Sequence, residues 1–339
     1  MNRRNLTLIV ALLPVLAFGV LVAVVTVPYV SLGPGPTFDT LGEVDGKPVV
    51  DIQGITTHPT TGHLNMTTVS QRDDLTLGEA LALWLSGQEQ LMPRYLVYPP
   101  GRSREEIDKA NDAEFTQSED DAEYAALGYL KYPRAATVME VQKSGPSEGR
   151  LRAGDVLDAI DGKRTANADQ FTAVLKDTKP GQQVVIGYRR NNTPGTARIT
   201  LGHNKDRSYG FLGIVVADEP VAPFRITFNL ANVGGPSAGL MFSLAVIDKL
   251  TTGDLVGSTF VAGTGTITPD GAVGPIGGIG HKMTAARAAG ATVFLVPAKN
   301  CYEASADDLP GLQLIKVDNL AQAVDALHTM TAGGQPPSC

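Results

Sequence analysis

Cysteine is nearly absent from this 339-residue chain, which has only Cys301 and Cys339. Two thiols cannot build a disulfide-dense scaffold or a paired CxxC zinc framework. The five histidines are scattered and none falls in an HExxH pattern, which removes the commonest zinc-protease arrangement. Positive charge is short as well: 28 Lys and Arg stand against 35 Asp and Glu, a formal charge of −7. No stretch forms a basic stripe, so nucleic acid is not an expected partner. What remains is 43% apolar and carries 37 glycines, a chain long enough for two packed domains and rich in turns.

Apolar runs long enough to cross a bilayer are missing too, with one exception. Residues 6–27 form 22 positions without a charge, preceded by Arg3 and Arg4, and the next basic residue is Lys47. About 20 apolar residues cross a bilayer, and the positive-inside bias puts the short N-terminus in the cytoplasm. The expectation is a single-pass signal anchor over residues 1–29 in the cell membrane, with the bulk of the chain extracytoplasmic. A cleaved signal peptide is the alternative, but no A-x-A site follows Val27. Outside the cytoplasm a Cys301–Cys339 disulfide is permissible, and two unpaired thiols fit the sequence equally well.

Residues 30–128 read as a β-rich membrane-proximal region ending in an acidic connector. Short strands are expected at 49–55 and 64–70. A helix is expected over 76–85, with Thr76 as its cap and Leu77, Leu81 and Leu85 on one apolar face. His58 and His63 lie in a Thr/Gly/Pro loop without a third metal ligand nearby, so no metal is assigned. Residues 102–123 are strongly acidic and read as a solvated helix or connector.

Residues 129–202 change pattern again. Strands at 137–141 and 184–189 enclose Gly145-Pro146, then Gly154-Asp155-Val156-Leu157, Ile160-Asp161-Gly162, a helix over 167–178 with Phe171, Val174 and Leu175 inward, and a Pro180-Gly181 stop. This succession resembles the PDZ domains of bacterial envelope proteases. The resemblance implies a groove that takes an extended peptide or C-terminus as an added strand. It would place the carboxylate loop near residues 127–136, where no Gly-Leu-Gly-Phe motif is present.

The last third carries chemistry. Gly234-Gly235-Pro236-Ser237-Ala238-Gly239 leads into an apolar helix over 240–250. The free N–H groups at such a helix start favour developing negative charge, so Ser237 has an oxyanion hole available from its own backbone and that of Ala238. Downstream, Lys282 opens an Ala-rich helix among apolar neighbours. Burial and the positive helix end both disfavour an ammonium there, lowering the lysine toward a usable general base. No histidine and acid flank Ser237 in a triad pattern, and a serine with a neutral lysine is the known alternative.

Gly235-Pro236-Ser237-Ala238-Gly239, Thr264-Gly265, Pro275-Ile276-Gly277-Gly278 and Lys282 together resemble the proteolytic domain of the Lon peptidases, over residues 224–327. Ser237 and Lys282, 45 residues apart, match the nucleophile and general base, and Thr264 matches a threonine that supports the lysine. Where Lon proteins usually carry an acid, just before Gly-Pro-Ser or two residues after the threonine, this chain has a glycine and Thr266. The Lon ATPase signature is missing, since Gly46-Lys47 and Gly162-Lys163 are followed by Pro and Arg. An anchor, a β-rich region, a PDZ domain and a Lon-type domain in this order resemble the membrane-anchored, PDZ-containing Lon-like peptidases of bacteria (YlbL-type).

The expected fold class is therefore multidomain α/β (α+β), with boundaries at 1–29, 30–128, 129–202 and 203–332. The expected function is an ATP-independent serine endopeptidase with no cofactor. It would act on unfolded or exposed polypeptides, bind a peptide or C-terminus in the PDZ groove, and sit in the membrane through residues 6–27. Because Lon-type domains associate, a homo-oligomeric ring is a further expectation. The rival from another class is a catalytically silent PDZ adaptor or scaffold.

Overall fold

The computed structural model describes residues 3–87, 89–231, 233–307 and 309–339, with side chains from residue 11 onward. Helix α1 runs over Arg3–Val24 with Pro14 inside it. Among the described residues no helix is long and apolar enough to cross a membrane. Strands β1 (Tyr29–Asp39), β2 (Val50–Gln53) and β3 (His63–Arg72) follow, then helix α2 (Leu77–Ser86), strand β4 (Gln90–Pro93), the short helix α3 (Arg94–Val97) and the long helix α4 (Arg104–Tyr129). Both longer helices begin with a capping box: Thr76 with Glu79, and Ser103 with Glu106, each exchange side-chain and backbone hydrogen bonds. Pro34-Gly35-Pro36 interrupts the β1–β3 ladder, which shifts register between Pro34 and Thr37 because proline has no N–H to donate.

The acidic connector is α4, and it is not a solvated helix. Phe115, Ser118, Ala122, Ala125 and Ala126 are buried along one face at helical spacing. Phe115 meets Phe242 edge-on, with ring centroids 5.8 Å apart. Most of the acids are exposed, and Glu119, Asp121 and Glu123 are half-buried, so composition described the outer face and hid the inner one.

The middle of the chain forms its own sheet and core. Strands β5 (Arg134–Val141) and β6 (Val156–Ile160), helix α5 (Ala168–Lys176), and strands β7 (Gln183–Arg190), β8 (Thr193–Thr200) and β9 (Ile214–Pro220) come in that order. The sheet order is β8-β7-β6-β5-β9. Leu157, Ile160, Phe171, Val184, Ile186 and Ile199 fill the space beneath it. Asn167 caps α5 by accepting from the Gln170 N–H. This sheet extends past residue 202, since β9 pairs with β5 along its whole length.

The remainder holds strand β10 (Arg225–Phe228), helix α6 (Gly239–Leu250), strand β11 (Phe260–Gly263), helix α7 (Ile279–Ala289), strands β12 (Val293–Pro297) and β13 (Gln313–Val317), and helix α8 (Leu320–Thr331). The second six-stranded sheet has the order β13-β12-β11-β3-β1-β4, and β10 pairs separately with β2. Half of this sheet therefore comes from residues 29–93. The expected separate region at 30–128 is instead interleaved with the last third, in one core that joins Leu64 and Met66 to Leu240, Phe242, Val261 and Leu295. Strand periodicity marks which face of a strand is buried and says nothing about which sheet it joins. Cys301 and Cys339 are joined as a disulfide.

Candidate active site

Ser237 sits in the turn that delivers the chain into α6, a helix buried almost all round. Gly235 has φ +83°, a conformation that glycine adopts without strain, and Pro236 follows it. Two contacts from α4 hold this turn: the Gly235 N–H donates to the Asn111 carbonyl at 3.0 Å, and the Ser118 hydroxyl donates to the Pro236 carbonyl at 3.0 Å. Gly239 permits the close approach, since a Cβ there would lie 2.7 Å from Ile267 and 2.9 Å from the Ser118 hydroxyl. The Ser237 carbonyl accepts from the Gly265 N–H at 3.0 Å and from the Thr264 hydroxyl at 3.1 Å. That fixes the peptide plane and leaves the Ser237 and Ala238 N–H groups at the end of α6, where helix amides lack intrahelical partners.

Lys282 comes from the first turn of α7, which starts at Gly278 with φ +68°. Its Nζ lies 2.7 Å from Ser237 Oγ and 2.9 Å from Thr264 Oγ1. Thr264 follows the end of β11 and is fully buried, and Lys282 is only 3% exposed. Burial pulls the lysine down from its ordinary 10.5 to about 8. Among the described residues no carboxylate lies within ion-pair distance of Lys282. The three residues singled out in the sequence are thus within hydrogen-bond reach of one another. An amine that loses its proton near pH 8, a hydroxyl and the backbone donors of a helix start can activate an alcohol and stabilise an oxyanion.

These groups open into a cleft of about 760 Å³. Its walls include Pro36 and Phe38 from β1, residues 68–71 from β3, and Ile276 ahead of α7. None of the β1 and β3 residues was legible as site residues, because the only sequence signal there is strand alternation. Thr266 also lines the cleft. His281 points elsewhere, toward a surface pocket near Glu303 and Asp307. His63 contacts Asp39 at 2.7 Å, and among the described residues no group of three or more potential ligands could hold a metal ion.

A model of the Lon protease (S16) C-terminal proteolytic domain matches residues 231–329, and a PDZ domain model matches residues 112–201. The chain carries a PDZ domain and a Lon-type proteolytic domain. A Lon protease of Clostridioides difficile is 46% identical over 76 residues, covering 22% of this chain and 9% of that protein. A Lon protease of Helicobacter pylori is 36% identical over 96 residues, 27% of this chain and 11% of that protein. The matched part of this chain thus spans about a tenth of the length of these relatives. The solved PDZ domain of an SdrC-like protein from Listeria monocytogenes is 29% identical, with a TM-score of 0.23, covering 24% of this chain and 86% of that one.

Residues 127–136, where the carboxylate loop was expected, offer no edge of the PDZ sheet. Leu127 is buried in the core shared with the Lon-type domain, and β5 lies inside its sheet, between β6 and β9, with no edge to offer. The edge strand on that side is β9, and α5 is anchored beside it by a bond from the Ala168 N–H to Asp218 at 2.7 Å. Gly210-Phe211-Leu212-Gly213 leads directly into β9, with Gly213 at φ +71° and the Leu212 carbonyl held by Ser147 at 2.7 Å.

Proposed function

We propose that this chain is a membrane-anchored serine endopeptidase of the YlbL type that hydrolyses peptide bonds of extracytoplasmic or membrane proteins without ATP. The observation that carries the reading is the 2.7 Å contact between Ser237 Oγ and a buried Lys282 Nζ that lacks an acidic partner. Neutral Lys282 accepts the Ser237 proton as Oγ attacks the scissile carbonyl, while Thr264 keeps the amine oriented. The Ser237 and Ala238 N–H groups receive the oxyanion. The ammonium returns its proton to the leaving amine, giving an acyl-enzyme ester. Water, deprotonated by the same lysine, then attacks the ester and releases the acid product and Ser237.

The remaining parts follow from this chemistry. The chain contains no Walker A sequence, so it supplies no unfolding motor of its own, and its substrates are unfolded or exposed polypeptides. The groove between β9 and α5 takes a peptide or C-terminus as an added strand, with its carboxylate at residues 210–213. Residues 6–27 anchor the chain, with the bulk outside the cytoplasm, where the Cys301–Cys339 disulfide persists. The test is hydrolysis of a casein-like unfolded substrate by the full chain in detergent, without nucleotide. Native activity that is lost in both Ser237→Ala and Lys282→Met supports the reading, and activity surviving in either variant contradicts it.

A further inference from the structure

Helix α2 forms where its spacing predicts, but its apolar face points outward. Ala80 is the buried residue, whereas Leu81, Trp84 and Leu85, spaced three and four apart, share an exposed stripe, with Trp84 69% and Leu85 76% exposed. Tyr95 and Leu96 on α3 are exposed as well. Among the described residues beyond Tyr29, eight large apolar side chains are exposed, and these five are the majority. The other three, Ile55, Val215 and Tyr302, lie far apart in the sequence, on unrelated elements. Exposed apolar side chains gathered on two helices that both pack against β1 and β4 mark an interaction surface.

Its location indicates the partner. Both helices are tied to the point where the chain leaves α1: Leu77 N–H donates to the Val25 carbonyl at 2.8 Å, Val27 N–H to the Leu75 carbonyl at 2.9 Å, and Arg94 N–H to the Pro28 carbonyl at 2.9 Å. A Cβ on Gly78 would lie 2.9 Å from Val22, so the first turn of α2 is level with the last turn of α1. Tryptophan and tyrosine favour the headgroup level of a bilayer, and a helix with one apolar face lies flat there. The nearby cations are compensated, since Arg94 and Arg104 both bond Asp73, and Arg72 pairs with Glu89. Apolar burial therefore drives the contact, and anionic lipid is not required.

We propose that Leu81, Trp84, Leu85, Tyr95 and Leu96 form a foot that rests in the bilayer interface around the exit of α1. This rests on the reading of residues 6–27 as a membrane anchor. The foot has a consequence for substrate choice. β1 leaves this level at Tyr29 and reaches the cleft wall at Pro36, so the cleft opens no more than about 25 Å from the bilayer at ~3.3 Å per residue. Polypeptide emerging from the membrane is then the segment class best placed for cleavage.

Trp84 is the only tryptophan in the chain, which makes the native protein its own probe. The full chain is reconstituted in phosphatidylcholine vesicles, flotation reports the anchor, and quenching by lipids brominated near the headgroup or at the acyl terminus reports the foot. The expected result is a floating chain whose Trp84 is quenched at least twofold more by shallow than by deep bromines. Leu81→Ser combined with Leu85→Ser is expected to reduce that quenching while flotation persists. A floating chain with unquenched Trp84 overturns the foot: red emission places the face in water, and blue emission places it under a second protein copy. Stronger quenching by deep bromines also overturns it. A chain that fails to float overturns the anchor reading and the foot with it.

Discussion

Helix α4 borders two sites that handle buried charge in opposite ways. Its residues Asn111 and Ser118 brace the turn that carries Ser237, where Lys282 is surrounded by hydroxyls and apolar groups and burial alone lowers it to about 8. Directly after Ser118 and one turn beyond it, Glu119 and Glu123 are raised to about 7, first by burial and then by the negative charge of Asp120. Asp120, Glu123 and Tyr124 line a cavity of about 300 Å³ against Arg152, Arg189 and Arg225 of the neighbouring domain. Desolvation shifts both kinds of group toward neutrality, lowering the amine in the first site and raising the carboxyls in the second. Clustering matters as much as burial. Keeping acids away from Lys282 lets burial lower the amine, whereas gathering acids on α4 raises them further toward neutral pH.

The largest way to break this contrast is to remove the lysine. Lys282→Met should lower kcat/KM by roughly 10²–10⁴-fold. At pH 7 it should also stabilise the fold by up to about 3 kcal/mol, because the native protein then holds an ammonium in a site that disfavours it. Hydrolysis rates and thermal melts check both, and a melting temperature that falls would contradict the contrast. In the native protein the unfolded chain binds the Lys282 proton more tightly, so its contribution to stability rises with pH between about 8 and 10.5.

Gly239→Ala tests the bracing by α4 next. The added methyl group meets Ile267 and Ser118, which should cost about 1–3 kcal/mol and displace Ser237. Expected kinetics are a lower kcat with KM little changed, and an unaltered kcat would remove Ser118 from the positioning of Ser237.

Thr266→Asp sharpens the comparison by placing an acid on the cleft wall that Lys282 shares. A negative charge there favours the ammonium, so the pH profile of activity should move upward by roughly one unit. A downward move would contradict the claim that absence of acid keeps the lysine low.

The smallest expected effect is at the acidic face. The folded state binds the Glu119 and Glu123 protons more tightly than the unfolded chain, so stability there is greatest in acid and falls as pH rises from about 4.5 to about 7. Hydrogen exchange of residues 119–124 should accelerate over that interval beyond the intrinsic base-catalysed rise. The excess should vanish in the Glu119→Gln, Glu123→Gln double variant.

The chemistry was more legible than the packing. Gly235-Pro236-Ser237 and Lys282 carry signals fixed by local backbone demands, and the structure brings them within 2.7 Å across 45 residues. Helix α2 was legible as a helix because its capping box and spacing are local, but the spacing could not say whether the stripe faces the core or outward. The acids of 102–123 concealed the buried face of α4, since Phe115, Ser118 and Ala122 are few and small. The interleaving of residues 29–93 into the sheet of the Lon-type domain is a long-range pairing, for which no local pattern exists. The edge strand β9 was missed because the middle domain was expected to close at residue 202.

The most direct test is the pH dependence of kcat/KM for a chromogenic peptide or unfolded casein, measured on the full chain from pH 6 to 10. A neutral Lys282 as general base predicts a single rise with an apparent pKa near 8, absent in Lys282→Met. A profile that is flat, or that falls through that range, would contradict a neutral lysine as the base.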